Sequence, residues 1–232
     1  EISACLVGSE MCIRDRILTV LSLSFLVFMS CSQPAKDTDT KKEPEVAKNV
    51  VVENIMNRRS IRKYKPEQVA QAQMDTIIQS GINAPSALNK QSWEVRVIQN
   101  PDLLNKINTA FVEDAKGKSL PGSASKAQED GFSVFHGAPT LIIVAKDKSN
   151  SYSAVDCGLF AQNILLSAES MNIGTCVIGS VAGIFNKPQS KELREAINLP
   201  DTHEVIFGIS VGYKNESPNA KPRNENKVEY IK

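Results

Sequence analysis

Apolar residues recur from residue 50 onward with two spacings, one typical of helices and one typical of strands. Helical spacing predicts helices over 67–82, 100–111, 155–171 and 187–197. Alternating or unbroken short apolar runs predict strands over 93–98, 140–145, 174–179 and 204–212. Because helices and strands are mixed along the same stretch, the pattern predicts an α+β or α/β domain that occupies residues 50–232.

Two of these elements are apolar enough to indicate where the core lies. Residues 155–171 are apolar nearly all round, which is typical of a helix in the middle of a core. The run TLIIVA, residues 140–145, predicts a fully buried strand.

An uncharged apolar run, ILTVLSLSFLVFM, covers residues 17–29 and follows two arginines. It is shorter than the roughly 20 residues of a membrane-spanning helix, so we interpret residues 1–31 as a signal peptide region. The Ser-Cys pair ending at Cys31 resembles the processing site of a bacterial lipoprotein. This predicts an acylated Cys31 and a membrane-anchored protein on the periplasmic or cell-surface side. An ordinary cleaved signal and a cytoplasmic protein are the alternatives.

Residues 1–16 and 32–49 contribute nothing to the predicted fold. The chain opens with Glu1, and residues 1–16 resemble a translated sequencing adapter, so we assign them no function. Residues 32–49 are polar, include two prolines and have no apolar periodicity, which predicts a disordered linker.

Charge and cysteine content narrow the class of function. With 27 basic and 26 acidic side chains the formal net charge is +1, which argues against a nucleic-acid partner bound through bulk charge. Any basic site must therefore be local. Cys157 and Cys176 are the cysteines of the predicted domain, and we expect two buried free thiols.

Several common catalytic patterns are absent from the sequence. There is no GxGxxG after a predicted strand and no GxxxxGK[ST], so neither common phosphate-binding loop is supported. The two histidines, His136 and His203, do not fall in a metal-like spacing or beside a GxSxG motif, and a structural role is expected for both. If the chain is an enzyme, a bound cofactor is expected to carry the reaction.

Three polar segments carry the candidate chemistry: NRRSIRKY at 57–64, APSALNKQSW at 84–93 and KPR at 221–223. In this order, with GTCVIG at 174–179 between the last two, they resemble the nitroreductase family of FMN-dependent oxidoreductases. The resemblance covers about residues 50–231. It implies an α+β fold with a central, mostly antiparallel sheet flanked by helices, and a homodimer with FMN sites at the subunit boundary.

The resemblance also implies an activity. Hydride would pass from NAD(P)H through FMN to a nitroaromatic, quinone or similar acceptor by a ping-pong mechanism, with no catalytic side chain assigned. One alternative is a flavoenzyme of the same fold that dehalogenates, oxidises peptide heterocycles or breaks down flavin. Another is a non-catalytic lipoprotein binding module.

Candidate residues for the FMN phosphate and ribityl chain share cationic or hydroxyl side chains that suit phosphate oxygens. They are Arg58, Ser60, Lys221 and Arg223. The family pattern places Arg59 and Arg62 near the flavin, where a cation stabilises the reduced ring.

Candidate residues for the flavin ring lie in the second motif and at the end of 174–179. Asn89 and Gln91 carry donor and acceptor on one plane, which suits the edge of an isoalloxazine. Pro85 and Ser86 would bring backbone close to that edge, and by family pattern so would Ile178 and Gly179. Trp93 is expected to be a core residue.

Overall fold

The structure, a computed structural model, describes residues 49–232. Its strands are β1 (Trp93–Ile98), β2 (Thr140–Asp147), β3 (Ile173–Ile178) and β4 (His203–Tyr213). Its α-helices are α1 (Val50–Asn57), α2 (Gln71–Ile82), α3 (Pro101–Asp114), α4 (Ser153–Ser170), α5 (Ala182–Phe185) and α6 (Lys191–Ala196). Residues 1–31 and 32–48, including Cys31, lie outside the described residues.

The four strands form one sheet in the order β1-β2-β4-β3, and every neighbouring pair is antiparallel. Helices pack on both faces of this sheet, so the predicted α+β class with an antiparallel sheet is confirmed. β2 pairs with β1 on one side and β4 on the other, and its residues 140–145 are all buried, as the unbroken apolar run TLIIVA predicts.

Two apolar cores flank the sheet, and β2 supplies side chains to both. Ile143 belongs to the core that contains Phe111 of α3, and Ile142 belongs to the core that contains Phe160 of α4. Both isoleucines are fully buried. Trp93 is half-buried beside Phe160, with ring centroids 5.2 Å apart, so it packs against the core without being enclosed by it.

Helix α2 begins later than its apolar spacing predicts. The predicted helix covers 67–82, whereas α2 starts at Gln71 because Ala70, its N-cap residue, has a non-helical ψ of 138°. The Ala70 N–H donates to the Tyr213 hydroxyl at 3.3 Å. The prediction over 187–197 is shortened in the same way, since a 3₁₀ turn at Pro188–Ser190 precedes α6.

Helices α1 and α5 were not predicted at all. Every residue of α1 is at least partly exposed, including Val51 and Met56, so its apolar side chains do not mark a buried face. The four-residue α5 is too short to show a period. Within residues 49–232, no helix combines the length and apolar character that crossing a membrane requires.

Candidate functional site

The arginine-rich segment, residues 57–64, lies along the outer edge of β3. Ser60 forms a parallel bridge with Thr175, and the Ile61 N–H donates to the Thr175 carbonyl at 2.9 Å. The Ile61 side chain is 2% exposed and packs over Gly174, where an added Cβ would lie 2.9 Å from Ile61 Cγ2. Ile61 therefore anchors the segment to the sheet, and Gly174 is required for that close approach.

The C-terminal tail, residues 214–232, meets the same segment directly after β4. Tyr64 pairs with Lys214, and the Asn215 N–H donates to the Lys63 carbonyl at 3.0 Å. One step further, the Glu216 carboxylate accepts the Arg62 backbone N–H. These contacts bring the two ends of the described chain side by side.

A pocket of about 150 Å³ lies where the two chain ends meet. Its lining consists of Arg58, Arg59, Ser60, Arg62, Pro218, Asn219, Lys221 and Arg223. Five of these side chains are cationic and none is acidic, and no ion pair within residues 49–232 involves the five. We call this site the cationic pocket. Such a concentration of like charge favours an anionic ligand.

The arginines of the cationic pocket differ in what their guanidinium groups already bind. Arg59 donates to the carbonyls of Met56 at 2.6 Å and Arg58 at 2.9 Å, so it satisfies the end of α1. Arg62 makes one long contact, 3.4 Å, to the Ser60 carbonyl. Within the described part of the chain, the side chains of Arg58, Lys221 and Arg223 have no hydrogen-bond partner, which leaves their donors available to a ligand.

Cys176 lies beneath the cationic pocket. Burial raises the pKa of the Cys176 thiol, while the nearby Arg62 and Arg58 and the Ser60 hydroxyl oppose that shift. Cys157 is buried in the core on the α4 side. Both thiols are free, as the sequence predicts.

His136 also lies near this region, in a loop before β2, with a left-handed φ of 60°. Burial lowers the pKa of His136, and the positive charge of Arg62 lowers it further. The neutral form of the imidazole is thereby favoured near neutral pH.

The second motif forms a tight loop between α2 and β1, residues 84–91. The Ser86 Oγ accepts the Gln91 N–H at 3.0 Å, and the Gln91 amide is 3.3 Å from Asn89 Oδ1. Leu88, Asn89 and Gln91 have φ values of 54°, 53° and 49°, a conformation that costs free energy in non-glycine residues. Asn89 and Gln91 are exposed at the surface of this strained loop.

Asp156 of α4 fastens this loop, and the sequence analysis missed it. Its Oδ1 accepts the Ala87 N–H at 3.0 Å, and the residue is 2% exposed. Its Oδ2 is buried with no hydrogen-bond partner among the described residues. The signal in the sequence was an acidic residue inside a helix that is otherwise apolar nearly all round. A carboxylate buried in such a helix requires a hydrogen-bond partner, which makes it a candidate for holding another segment.

The predicted site residues therefore fall into three groups. Arg58, Arg59, Ser60, Arg62, Lys221 and Arg223 are brought together in the cationic pocket. Pro85, Ser86, Asn89 and Gln91 share the loop 84–91 and do not line that pocket. Ile178 is buried in the core at the end of β3, and Gly179 is exposed in the turn that follows; neither lines the cationic pocket.

A larger cavity, of about 670 Å³, lies between α3 and α6. It contains none of the predicted site residues, and its lining mixes acids such as Glu113 and Glu192 with lysines such as Lys106. The mixed charge gives this cavity no preference for an anion, so the smaller cationic pocket is the better candidate site.

Comparison with known proteins decides the family. A family model described as the nitroreductase family matches residues 55–213, most of the described chain. The chain belongs to the nitroreductase family. Its α+β fold, antiparallel sheet and motif order agree with that membership.

Individual nitroreductase relatives resemble the chain over most of its length. An NADPH-flavin oxidoreductase of Vibrio harveyi is 30% identical over 187 residues, covering 75% of this chain and 70% of the relative. A nitroreductase with bound FMN from Desulfitobacterium hafniense superimposes with a TM-score of 0.73 at 26% identity, covering 80% of this chain and 100% of that one. An FMN-dependent nitroreductase of Clostridium difficile gives a TM-score of 0.71 at 29% identity, covering 79% and 99%.

Proposed function

We propose that this protein is an FMN-dependent oxidoreductase that takes hydride from NAD(P)H and passes electrons to a nitroaromatic, quinone or similar acceptor. The observation that carries this proposal is the cationic pocket, where five cations and no acid converge from the two ends of the domain. Relatives named as flavin oxidoreductases and FMN-dependent nitroreductases support the choice of FMN as the anionic ligand.

The chemistry of the cationic pocket suits a phosphate group. A guanidinium offers paired donors that match two phosphate oxygens, and an ammonium adds a point charge. Arg58, Lys221 and Arg223 would supply these donors, and Ser60 would add a hydroxyl. The volume of about 150 Å³ is small for a tricyclic ring, so this pocket would hold only the phosphate end of FMN.

The ring of FMN needs different partners, and the loop 84–91 offers them. The Asn89 and Gln91 carboxamides can donate and accept hydrogen bonds along the edge of an isoalloxazine. When bound, FMN supplies the centre that accepts hydride and releases electrons. The residues of this chain would bind it, orient it and favour the negative charge of its reduced form through Arg59 and Arg62.

We further propose that the active form is a homodimer, in which the loop 84–91 of one copy completes the site of its partner. Within one chain, this loop does not contribute to the cationic pocket. Apolar side chains on α1 and α4 are also exposed: Val51 64%, Met56 68%, Val155 62% and Leu159 41%. These two helices are joined by a hydrogen bond of 2.8 Å from the Asn54 amide to the Leu166 carbonyl. A second copy would bury these exposed apolar side chains.

The test begins with the purified protein. We expect a flavin absorbance spectrum, or uptake of added FMN, and oxidation of NADH or NADPH that accelerates when a nitroaromatic is added under anaerobic conditions. Parallel lines in double-reciprocal plots would support the ping-pong order. A protein that neither contains nor binds FMN would contradict the proposal. If the protein binds FMN but does not oxidise NAD(P)H, the proposed FMN site stands and the proposed reaction is refuted.

We also propose, on the sequence alone, that Cys31 is acylated and anchors the protein outside the cytoplasm. NAD(P)H is a cytoplasmic donor, so the exported form would take its electrons in the cell from another source, and oxidation of NAD(P)H would be an activity of the purified protein. Labelling with a fatty-acid probe, compared between the native chain and Cys31→Ala, tests the anchor. An unlabelled cytosolic protein would refute it.

A further inference from the structure

The tail that carries Lys221 and Arg223 is attached to the rest of the domain at few points. Asn215 and Glu216 are its last residues that hydrogen-bond to another segment. Among residues 49–232, no hydrogen bond or ion pair involves 217–223. The positions of the two tail cations therefore depend on the attachment just before them.

Electrostatic repulsion works against that attachment when the cationic pocket holds no anion. Bringing Lys221 and Arg223 beside Arg58 and Arg62 concentrates positive charge that no acid of the lining offsets. A contact that holds the tail in place against this repulsion needs a partner on the tail that is not one of the lining cations. Glu216 is such a partner, because it does not line the pocket and its carboxylate accepts the backbone N–H of Arg62, which does.

The environment of Glu216 indicates that its carboxylate is directed toward the protein. The residue is half-buried, and its charge influences the pKa of Tyr64 in the arginine-rich segment and of His136 and Cys176 nearby. A charge-assisted hydrogen bond in such a partly desolvated position is stronger than one in open solvent. The Asn215 N–H, bonded to the Lys63 carbonyl at 3.0 Å, extends the same attachment by one residue.

We propose that Glu216 is a positioning residue that fastens the C-terminal tail to the arginine-rich segment and thereby sets the affinity for the phosphate of FMN. This inference rests on the proposed function for its ligand and goes beyond it, because Glu216 does not line the cationic pocket. The carboxylate acts through Lys221 and Arg223, which it keeps at the pocket.

Two substitutions at Glu216 separate hydrogen bonding from charge. Glu216→Ala removes the acceptor, whereas Glu216→Gln keeps an acceptor oxygen and removes the charge. Glu229→Ala is the matched control, because Glu229 is an exposed acid of the same tail that does not line the pocket. Riboflavin, which has the ring and lacks the phosphate, is the matched ligand.

The measurement is the dissociation constant of FMN and of riboflavin for each variant. We expect Glu216→Ala to lower the affinity for FMN by about tenfold, which corresponds to the contribution of about one hydrogen bond. The affinity for riboflavin should change by less than about twofold. Glu216→Gln and Glu229→Ala should keep FMN affinity within about threefold of the native protein. Unchanged FMN affinity in Glu216→Ala, an equal loss for both flavins, or a Gln variant as weak as the Ala variant would overturn the proposal.

Hydrogen exchange of the ligand-free protein distinguishes a failure of this inference from a failure of the proposed function. If Glu216 fastens the tail, backbone amides over 214–223 exchange faster in Glu216→Ala than in the native protein or Glu229→Ala, whether or not any flavin binds. Equal exchange in all three proteins would refute the attachment. Native protein that binds neither flavin would refute the proposed function alone.

Discussion

The side chain of Asp156, on the buried face of helix α4, accepts the backbone N–H of Ala87 at 3.0 Å. This bond ties the surface loop 84–91, with its three non-glycine residues at positive φ, to the buried helix α4. Strained backbone persists only where its surroundings over-determine it. Asp156 therefore links the core to the loop that presents Asn89 and Gln91.

We expect Asp156→Ala to loosen this loop, because the Ala87 N–H loses its acceptor in a partly buried position. The cost should be about 1–3 kcal/mol in free energy of unfolding, measured by urea denaturation. The affinities for FMN and for riboflavin should fall together, since the contacts with the ring and not those with the phosphate are affected. Asp156→Asn keeps an acceptor at Oδ1 and is the matched control. Native stability and native riboflavin affinity in Asp156→Ala would show that the bond does not hold the loop.

Substitutions in the cationic pocket should affect the binding of FMN and not that of riboflavin, which lacks the phosphate. Arg58→Ala or Arg223→Ala is expected to weaken FMN by about 10- to 100-fold, the contribution of one charge-assisted hydrogen bond, and to leave riboflavin within about twofold. The loss should shrink at high salt, because screening already weakens the native interaction. Titration by flavin fluorescence measures both ligands.

Lys227→Ala is the matched control for these variants. Lys227 is an exposed cation of the same tail that does not line the cationic pocket. An equal loss of FMN affinity in Lys227→Ala would mean that net charge, and not the pocket, attracts the phosphate.

The fold was largely predictable because its strands and longer helices bury one or both faces. β2 is buried on both faces by its neighbours, and its unbroken apolar run shows this in sequence. Helix α1 was missed for the opposite reason: Val51 and Met56 are exposed within one chain, so their spacing marks no buried face. Local pattern does not identify a helix whose apolar residues are exposed within one chain.

The candidate site was less predictable from local pattern. Chain spacing alone does not bring Arg58 beside Arg223; the resemblance to a family supplied that expectation, and the pairing of Tyr64 with Lys214 is its structural basis. Leu88 and Gln91 have positive φ in the folded loop, and neither residue type favours that conformation, so the sequence does not predict it. Asp156 could have been suspected only as a charge inside an apolar helix.

The close packing of α2 on α4 gives a stability prediction that is independent of any ligand. An added Cβ at Gly81 would lie 2.8 Å from Phe160 Cζ, in the middle of a fully packed core. Gly81→Ala should therefore destabilise the protein by about 1–3 kcal/mol, because a large ring must move. Urea denaturation measures the change.

Gly183→Ala is the control for this prediction. Gly183 also lies in a helix, but an added Cβ would meet nothing within 4 Å. We expect its stability to stay native or rise by up to about 1 kcal/mol, since alanine favours helix. If Gly81→Ala is as stable as Gly183→Ala, α2 and α4 are not packed closely enough at Gly81 for an added methyl group to displace Phe160.

Stability above neutral pH should depend on Cys157. Burial raises the pKa of this thiol from 9.0 to about 11, and the charge of Asp156 adds to the shift against the opposing hydrogen bond from Ser153. Between these two pH values the unfolded chain loses the proton while the folded protein keeps it. The folded state then binds more protons than the unfolded state, so the free energy of unfolding must fall as pH rises.

Urea denaturation at a series of pH values across this window tests the effect. Cys157→Ala should be less stable at neutral pH, because a buried side chain is shortened, but its stability should decline less steeply from pH 9.0 to about 11. Burial also raises the pKa values of Cys176 and Tyr64, and the hydrogen bond to Asp114 raises the pKa of Lys118, so these groups contribute to the decline that remains. Identical slopes in the native protein and Cys157→Ala would mean that the Cys157 thiol titrates alike in the folded and unfolded states, and that its burial does not control its ionisation.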